Sequence, residues 1–359
     1  MRVLQVINSL NIGGAEKLLV DAIPLFKKRG IEMELMLLNG EGTPFFNKLK
    51  EQKVIIHTLS NGDTKKIYNP VLIFYIIPYL KKYDIIHVHL FPSLYWVALA
   101  KLLSFSKVNL LFTEHNTQNR RRKKKYWYYI DRFIYKKYKV VVSITKEVND
   151  SLKSYLSLNT DKFRIINNGI DLSRFIDLPS QKTQDGSKII VMQISSFREQ
   201  KDQATLIRAM QYVPDNVVLY LVGDGEKRIL CENLANELNL SDRVFFFGIR
   251  MDIPELLNSA DIVVLSSHWE GFGLAIVEGM AAQKPVIASN VPGLKNVVNE
   301  AGLLFTQGDE KDLAGKIISL IDNPDFYSEI AYKCTERAKQ YDINTMVDKY
   351  IDIYKKIYR

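Results

Sequence analysis

Short apolar runs alternate with longer amphipathic ones along the whole chain. A first set comprises VLQVIN (3–8), EMELMLL (32–38), KVIIHTL (53–59), DIIHVH (84–89), VNLLFTE (108–114) and VVVSIT (140–145). A second comprises KIIVMQIS (188–195), VVLYLVG (217–223), RVFFFG (243–248), DIVVLSS (261–267) and KPVIAS (284–289). Most are nearly continuous in Val, Ile and Leu, the pattern of strands covered on both faces of a parallel sheet. The segments between them, such as GAEKLLVDAIPLFKKRG and DQATLIRAMQYV, carry helical periodicity. The alternation predicts an α/β chain of two doubly wound units in tandem. Polar and turn residues break the pattern over 164–188, which places the seam within 168–187. The expected organisation is one domain over 1–175, a second over 176–340, and an amphipathic helix over 341–359. That helix is able to cap either domain, including by packing back on the first.

Composition narrows the class. A length of 359 residues suits two domains, and 47% hydrophobic with 25% charged residues describes a globular protein. Two cysteines, Cys231 and Cys334, form neither a disulfide framework nor a metal-ligand spacing, which fits a reducing compartment. The first residues read as a strand and not as a leader, and the most apolar window, VLIFYIIPYL, is too short to span a bilayer. The expected location is the cytoplasm, with peripheral association at the inner face of the cytoplasmic membrane. Charge is divided unevenly: 29 Lys and Arg against 14 Asp and Glu over 1–175, then 20 against 26 over 176–359. A strongly basic first half points to a polyanionic or membrane partner.

The densest chemistry lies in HWEGFGLAIVEGMAAQKPVIAS, 268–289. A buried strand leads into a turn, and the turn into a helix that starts near Gly273. The first amides of that helix, at Phe272, Gly273 and Leu274, lack intrahelical acceptors and favour a phosphate. Glu270 precedes the helix, and Glu278 lies about 7.5 Å along its axis. Carboxylates on either side of a diphosphate site suit vicinal hydroxyls, the layout of a nucleotide-sugar. A helix cap at Glu270 and a surface role for Glu278 is the plainer alternative. Gly13 and Gly14, in NIGGAEK, open the first helix and permit close approach of an anion, although a βα turn needs no ligand to explain them. Gly223-Asp224-Gly225 reads as a tight turn.

The stretch with Glu270 and Glu278 resembles the E-x7-E signature of family 4 of the retaining glycosyltransferases. The resemblance runs in order through GGAEKLLVDAIPLFKKRG, DIIHVH, LLFTEHN, VVVSITKEV, INNGIDLSRF, SFREQKDQATLIRAM, LVGDGEKR, VFFFG and EGFGLAIVEGMAAQKPVIASNVPG. It implies the GT-B fold, two facing Rossmann-like domains with an interdomain cleft, with donor binding in the second. It also implies that Glu270 touches the donor sugar, that Glu278 touches the ribose, and that Phe272, Gly273 and Leu274 offer amides to the sugar and diphosphate. Lys201 matches the lysine that neutralises the diphosphate. The arginine usual five positions earlier is Ser196 here, and Arg198 is positioned to supply that charge. Phe247, Gly248, Ile249 and Arg250 match the segment that holds the base, while Asn296 stands where the family often has Glu. His115 matches a histidine beside the donor sugar and acceptor.

The implied reaction moves a sugar from a nucleotide-sugar, UDP-linked in preference to GDP-linked, to a hydroxyl of a glycan or lipid-linked oligosaccharide. The family view is front-face departure of the nucleoside diphosphate without a metal or other cofactor. Charge on the leaving group is met by Lys201, Arg198 and the helix amides. The HVH of His87 and His89 invites a metal reading, but no carboxylate or cysteine partner accompanies it. Arg120, Arg121, Arg122, Lys123, Lys124 and Lys125 form a cationic run followed by Trp127 and tyrosines. This is either a solvated face or a contact for anionic headgroups or a pyrophosphate-linked acceptor. No motif supports nucleic-acid recognition. Two other functions fit the same architecture: a nucleotide-sugar epimerase acting on donor alone, and a non-catalytic nucleotide-sugar or membrane-surface binder.

Overall fold

In a computed structural model of the protein, residues 1–117, 122, 124–158, 161–176 and 188–358 are described. The chain divides into two compact units, Met1–Gly169 with Ile343–Arg359, and Ile170–Asp342. Both are three-layered α/β structures in which every strand pairing is parallel.

Unit 1 is built on β1 (Arg2–Ile7), β2 (Glu32–Leu37), β3 (Ile56–Thr58), β4 (Ile85–His89), β5 (Asn109–Glu114), β6 (Val140–Ser143) and β7 (Phe163–Ile165). Their order is β3-β2-β1-β4-β5-β6-β7. Unit 2 uses β8 (Ile189–Ile194), β9 (Val217–Val222), β10 (Val244–Gly248), β11 (Ile262–Leu265), β12 (Val286–Ser289) and β13 (Leu303–Phe305), ordered β10-β9-β8-β11-β12-β13. The eleven apolar runs all contain strands. The hydrophobic pattern does not reveal β7 and β13, which are three-residue edge strands too short to show a period. In each sheet the order reverses beside the first strand, so the loops after β1 and β4, and after β8 and β11, flank the switch point where such sheets bind ligands.

Five helices position the side chains of interest: α1 (Gly14–Lys28), α2 (Ser93–Leu103), α3 (Lys125–Tyr135), α4 (Leu274–Ala281) and α5 (Ile343–Tyr358). Strand alternation divides unit 1 into two cores. Val3, Ile7, Met33, Ile85 and Leu111 face α1 and α5, whereas Leu4, Val6, Ile86, Val88 and Phe112 face α2 and α3. The closing helix α5 belongs to unit 1. It buries Ile343, Met346, Val347, Tyr350, Ile351, Tyr354 and Ile357 at helical spacing. At about 1.5–3 kcal/mol per large apolar side chain, this stripe far outweighs the Arg29–Asp348 ion pair at the rim, an exposed contact worth under about 1 kcal/mol. Apolar burial is what holds the helix there.

Candidate functional site

In unit 2 the loop between β11 and α4 carries the glutamates. Gly273 takes a left-handed φ of 85° as the N-cap of α4, and a side chain there would collide with Leu294. Gly293, also left-handed at φ 89°, brings its turn against the Glu270 carbonyl so closely that a Cβ would overlap it. Phe272 is buried edge-on against Tyr341 at 5.1 Å. The loop is thereby clamped from two sides, and the first amides of α4 stay without intrahelical acceptors. Glu270 and Glu278 are both buried, which argues against a plain surface role for either. The Glu270 carboxylate accepts a hydrogen bond from the Gly271 amide at 3.2 Å.

The loop after β8 supplies the cations. Lys201 ends a 3-10 turn, Glu199–Lys201, and its ammonium pairs with the Glu270 carboxylate. Both side chains are largely shielded, at 19% and 10% exposure. Two hydrogen bonds tie the loops together: the His268 amide donates to the Gln200 carbonyl, and the Gln200 side chain donates to the Trp269 carbonyl, each at 2.8 Å. Buried amides support them from beneath. Gln193 accepts from the Ser266 hydroxyl at 2.9 Å and donates to the Lys201 carbonyl at 3.1 Å, while Gln203 donates to Ser195 Oγ and the Ser196 carbonyl. Arg198 is exposed on the same loop as Ser196. Gly223 and Gly225 let the end of β9 press on this loop, since a Cβ at either would overlap the carbonyl of Ser195 or Phe197. The tight turn therefore shapes the cation loop. At the end of β10, Gly248 has φ 65° and its carbonyl accepts from the Gly223 amide at 2.8 Å. Phe247 packs on Tyr220, Ile249 is exposed, and Arg250 is held by Asp252. Asn296 is exposed, with its carbonyl accepting from Arg337.

In unit 1, Gly13 is the extended N-cap of α1 at φ −163°, a conformation open to any residue, with the Glu16 carboxylate lying over it; Gly14 is exposed. His115, just past β5, is buried beside His89, with His115 Nε2 at 3.0 Å from His89 Nδ1. Sequence reasoning did not foresee the partners of these histidines: Gln5, Thr113, Tyr350 and Tyr354 form a hydrogen-bonded network with His87 and His89 across one face of the sheet. The signal was present in the alternation, because Gln5, His87, His89 and Thr113 share the parity of the residues facing α5. Burial holds His115 at a pKa of about 4 and His87 and His89 well below the ordinary histidine value, so all three are neutral at pH 7. Among the described residues, no cluster of three or more His, Cys, Asp or Glu is placed to hold a metal. A cavity of about 180 Å³ opens nearby, lined by Asn8, Phe91, Leu94, Glu114 and Asn116. It joins an aromatic ring to a carboxylate and two amides, chemistry that suits a hydroxylated ring.

The cationic run divides. Arg120, Arg121 and Lys123 lie outside the described residues. Arg122 is not available to a headgroup, because its side chain turns inward at 9% exposure. Its Nη2 donates to Glu114 at 2.6 Å, and Tyr135 donates to the same carboxylate. Burial alone would lower the guanidinium pKa, and Glu114, together with Tyr135 and Asp131, more than offsets that and raises it. Trp127 is half-buried and packs edge-on against Phe91 and Tyr95 instead of standing at an interface. Lys124 and Lys125 are exposed. Below them α3 presents Tyr126, Tyr129, Ile130 and Phe133 outward at i, i+3, i+4 and i+7. Lys137 Nζ lies over the Phe133 ring at 4.3 Å, and Lys101 has a lowered pKa from burial and from its neighbours Lys139 and Lys137. Among the described residues, no helix is long and apolar enough to cross a membrane.

Comparison with known proteins gives the same picture for both halves. The family model described as Glycosyltransferase Family 4 matches residues 12–174, and the one described as Glycosyl transferases group 1 matches residues 175–341. The chain is 27% identical over 288 residues to the N-acetyl-alpha-D-glucosaminyl L-malate synthase of Bacillus anthracis, covering 77% of this chain and 75% of that one. It is 27% identical over 296 residues to the UDP-Gal:alpha-D-GlcNAc-diphosphoundecaprenol alpha-1,3-galactosyltransferase of Escherichia coli, covering 76% of each. Among solved structures, Anabaena Alr3699/HepE in complex with UDP and glucose superposes with a TM-score of 0.88 at 23% identity, covering 99% of this chain and 100% of that one. That likeness carries the fold, which is of the GT-B type.

Proposed function

Because the chain belongs to the family 4 glycosyltransferases, we propose that it moves a sugar from a UDP-sugar to a hydroxyl of a glycan or lipid-linked oligosaccharide, with retention and without a metal. The observation that carries this reading is the clamped loop of unit 2. It holds the Lys201 ammonium, the Glu270 carboxylate and the free amides at the start of α4 together, with Glu278 buried one turn further on. On this reading the diphosphate lies on the α4 amides with Lys201 and Arg198, Glu270 receives sugar hydroxyls, and Glu278 receives the ribose. The base rests against Phe247, Gly248 and Ile249. Cleavage of the bond from C1 to the phosphate oxygen leaves UDP. The acceptor oxygen bonds to C1 on the same face, and its proton passes to the departing phosphate. Cationic side chains and amides aimed at the leaving group stabilise the charge that develops there. In unit 1, His115 meets a sugar hydroxyl, and Asn8, Phe91 and Glu114 line space for the acceptor. Gly13 and Gly14 let the backbone come close to the donor.

The test is UDP binding and acceptor-dependent UDP release, measured without metal. A carboxylate that accepts from hydroxyls is worth about 1.5–3 kcal/mol, so Glu278→Ala should weaken UDP about 10- to 100-fold in a protein that still unfolds in one cooperative transition per unit. Conversion of the donor alone to its epimeric UDP-sugar, without acceptor and without UDP release, would replace the transferase reading with an isomerase. Unchanged affinity in Glu278→Ala would remove the ribose assignment.

Peripheral association with the inner face of the cytoplasmic membrane, through α3, belongs to the same proposal. The outward aromatic stripe of α3, with Tyr129 at 72% and Phe133 at 48% exposure, is bordered by Lys124, Lys125, Lys136 and Lys137. An apolar stripe rimmed by lysines suits an anionic lipid surface. The protein should float with vesicles containing phosphatidylglycerol, weakly with pure phosphatidylcholine, and release as salt rises. Tyr129→Glu with Phe133→Glu should lower the bound fraction at least about tenfold. Equal flotation of that double variant would remove α3 from the membrane contact.

A further inference from the structure

The histidine face of unit 1 is a directed chain of hydrogen bonds, and its direction determines what His115 can offer. Gln5 lies at the centre. Its Nε2 faces the Met33 sulfur at 3.5 Å and the Tyr354 hydroxyl at 3.0 Å, and its Oε1 faces His89 Nε2 at 2.8 Å. His89 Nδ1 then faces His115 Nε2 at 3.0 Å. On the other side, Tyr354 lies 2.6 Å from His87 Nδ1, and His87 Nε2 lies 2.7 Å from the Thr113 hydroxyl. Every ring in the chain is neutral at pH 7, so each carries one N–H and one bare nitrogen. Such a chain has two self-consistent directions. Turning the Gln5 amide over would reverse each histidine tautomer along it.

One contact breaks the symmetry. A thioether accepts a weak hydrogen bond and never donates one. The edge of the Gln5 amide that faces Met33 is therefore the N–H edge. Gln5 Oε1 then requires a donor, which makes His89 Nε2 the protonated nitrogen and His89 Nδ1 bare. A bare Nδ1 requires a donor in turn, supplied by His115 Nε2–H. Tyr354, from the closing helix α5, then accepts from Gln5 and donates to His87, which carries the same direction onward.

We propose that Met33, Gln5, His89 and Tyr354 are positioning residues that fix His115 with its proton on Nε2, leaving Nδ1 as a hydrogen-bond acceptor for a sugar hydroxyl. Among the described residues, Nδ1 of His115 has no hydrogen-bond partner, so it is the nitrogen left for a ligand. The selected ligand group is a donor, a hydroxyl, and a carbonyl or phosphate oxygen at that point is disfavoured. Only the use to which Nδ1 is put rests on the function proposed above; the tautomer itself does not.

The test is two-bond 15N–1H correlation on the full chain labelled at histidine, with the His115 signals assigned by their loss in His115→Ala. The expected result is a proton on Nε2 and a bare Nδ1 at His115 and at His89. A proton on Nδ1 of His115 in the parent protein, or rapid averaging of the two forms, overturns the proposal. Met33→Leu keeps the volume and removes the sulfur, so a second His115 population protonated on Nδ1 should appear. The rate of transfer should then fall up to about tenfold, the value of one hydrogen bond, with UDP affinity unchanged. An unshifted tautomer in a folded Met33→Leu overturns the role given to the sulfur. Full transfer activity in His115→Ala, beside the expected tautomer in the parent, removes the sugar contact and leaves the relay standing.

Discussion

Replacing Lys201 with Met is expected to lower kcat/KM for sugar transfer about 10³-fold and to destabilise the protein by about 3 kcal/mol. Two properties fall together because Lys201 has two neighbours to satisfy, one in the fold and one in the reaction. In the fold it neutralises Glu270, whose side chain is 10% exposed. Without the ammonium that carboxylate loses its ion pair, while the Gly271 amide and the distant Ser267 hydroxyl still face it. In the reaction, as proposed, the same ammonium meets the departing diphosphate. Glu270→Gln should cost less stability, because Lys201 is more exposed at 19% and sits on a flexible stem. Its effect on transfer should be of the same order as that of Lys201→Met. The double variant separates the two roles: Lys201→Met with Glu270→Gln leaves no stranded charge, so most of the lost stability should return while transfer stays absent. Urea unfolding and UDP release on the four proteins complete the cycle. Recovery of activity in the double variant would mean that the pair is structural only.

What could be read along the chain was whatever is local. A strand, a glycine-bearing turn and a helix start lie within some twenty consecutive residues from 261 to 281, so the place of Glu270, Gly273 and Glu278 was legible before any contact was known. The cation loop was legible for the same reason, since Lys201 follows β8 by seven residues. Two kinds of feature were not. Short edge strands such as β7 and β13 lack the length to show a period, and only their neighbours define them. Networks assembled from distant segments are silent in the sequence. Tyr354 reaches Gln5 across nearly the whole chain, and nothing near either residue announces the other. The inward turn of Arg122 belongs to the second kind. In a run of cations every member looks solvated, and the carboxylate that singles one out arrives from the end of β5.

Because Arg122 is part of the fold and not of the surface, Arg122→Met should destabilise unit 1 by about 3 kcal/mol, at the low end of the range for breaking a buried pair. Vesicle binding per folded molecule should be unchanged. The cost arises at Glu114, 7% exposed, which would keep the Tyr135 hydroxyl and the Asn116 amide but lose the guanidinium that balances its charge. The low end applies because the guanidinium is itself imperfectly satisfied: among the described residues its Nε and Nη1 are buried with no hydrogen-bond partner, a desolvation cost that the substitution removes. Stacking over Tyr155 at 5.2 Å offsets part of that cost, and a methionine at the same place retains some of the packing. Adding Glu114→Gln to Arg122→Met should recover most of the loss, because a neutral amide has far less desolvation to overcome. The α3 variants Tyr129→Glu and Phe133→Glu should behave oppositely, with stability near the parent and flotation lost. Chemical denaturation and flotation on the same preparations distinguish the two. A stable Arg122→Met protein that no longer floats would return this arginine to the membrane contact and leave the buried pair with Glu114 without energetic weight.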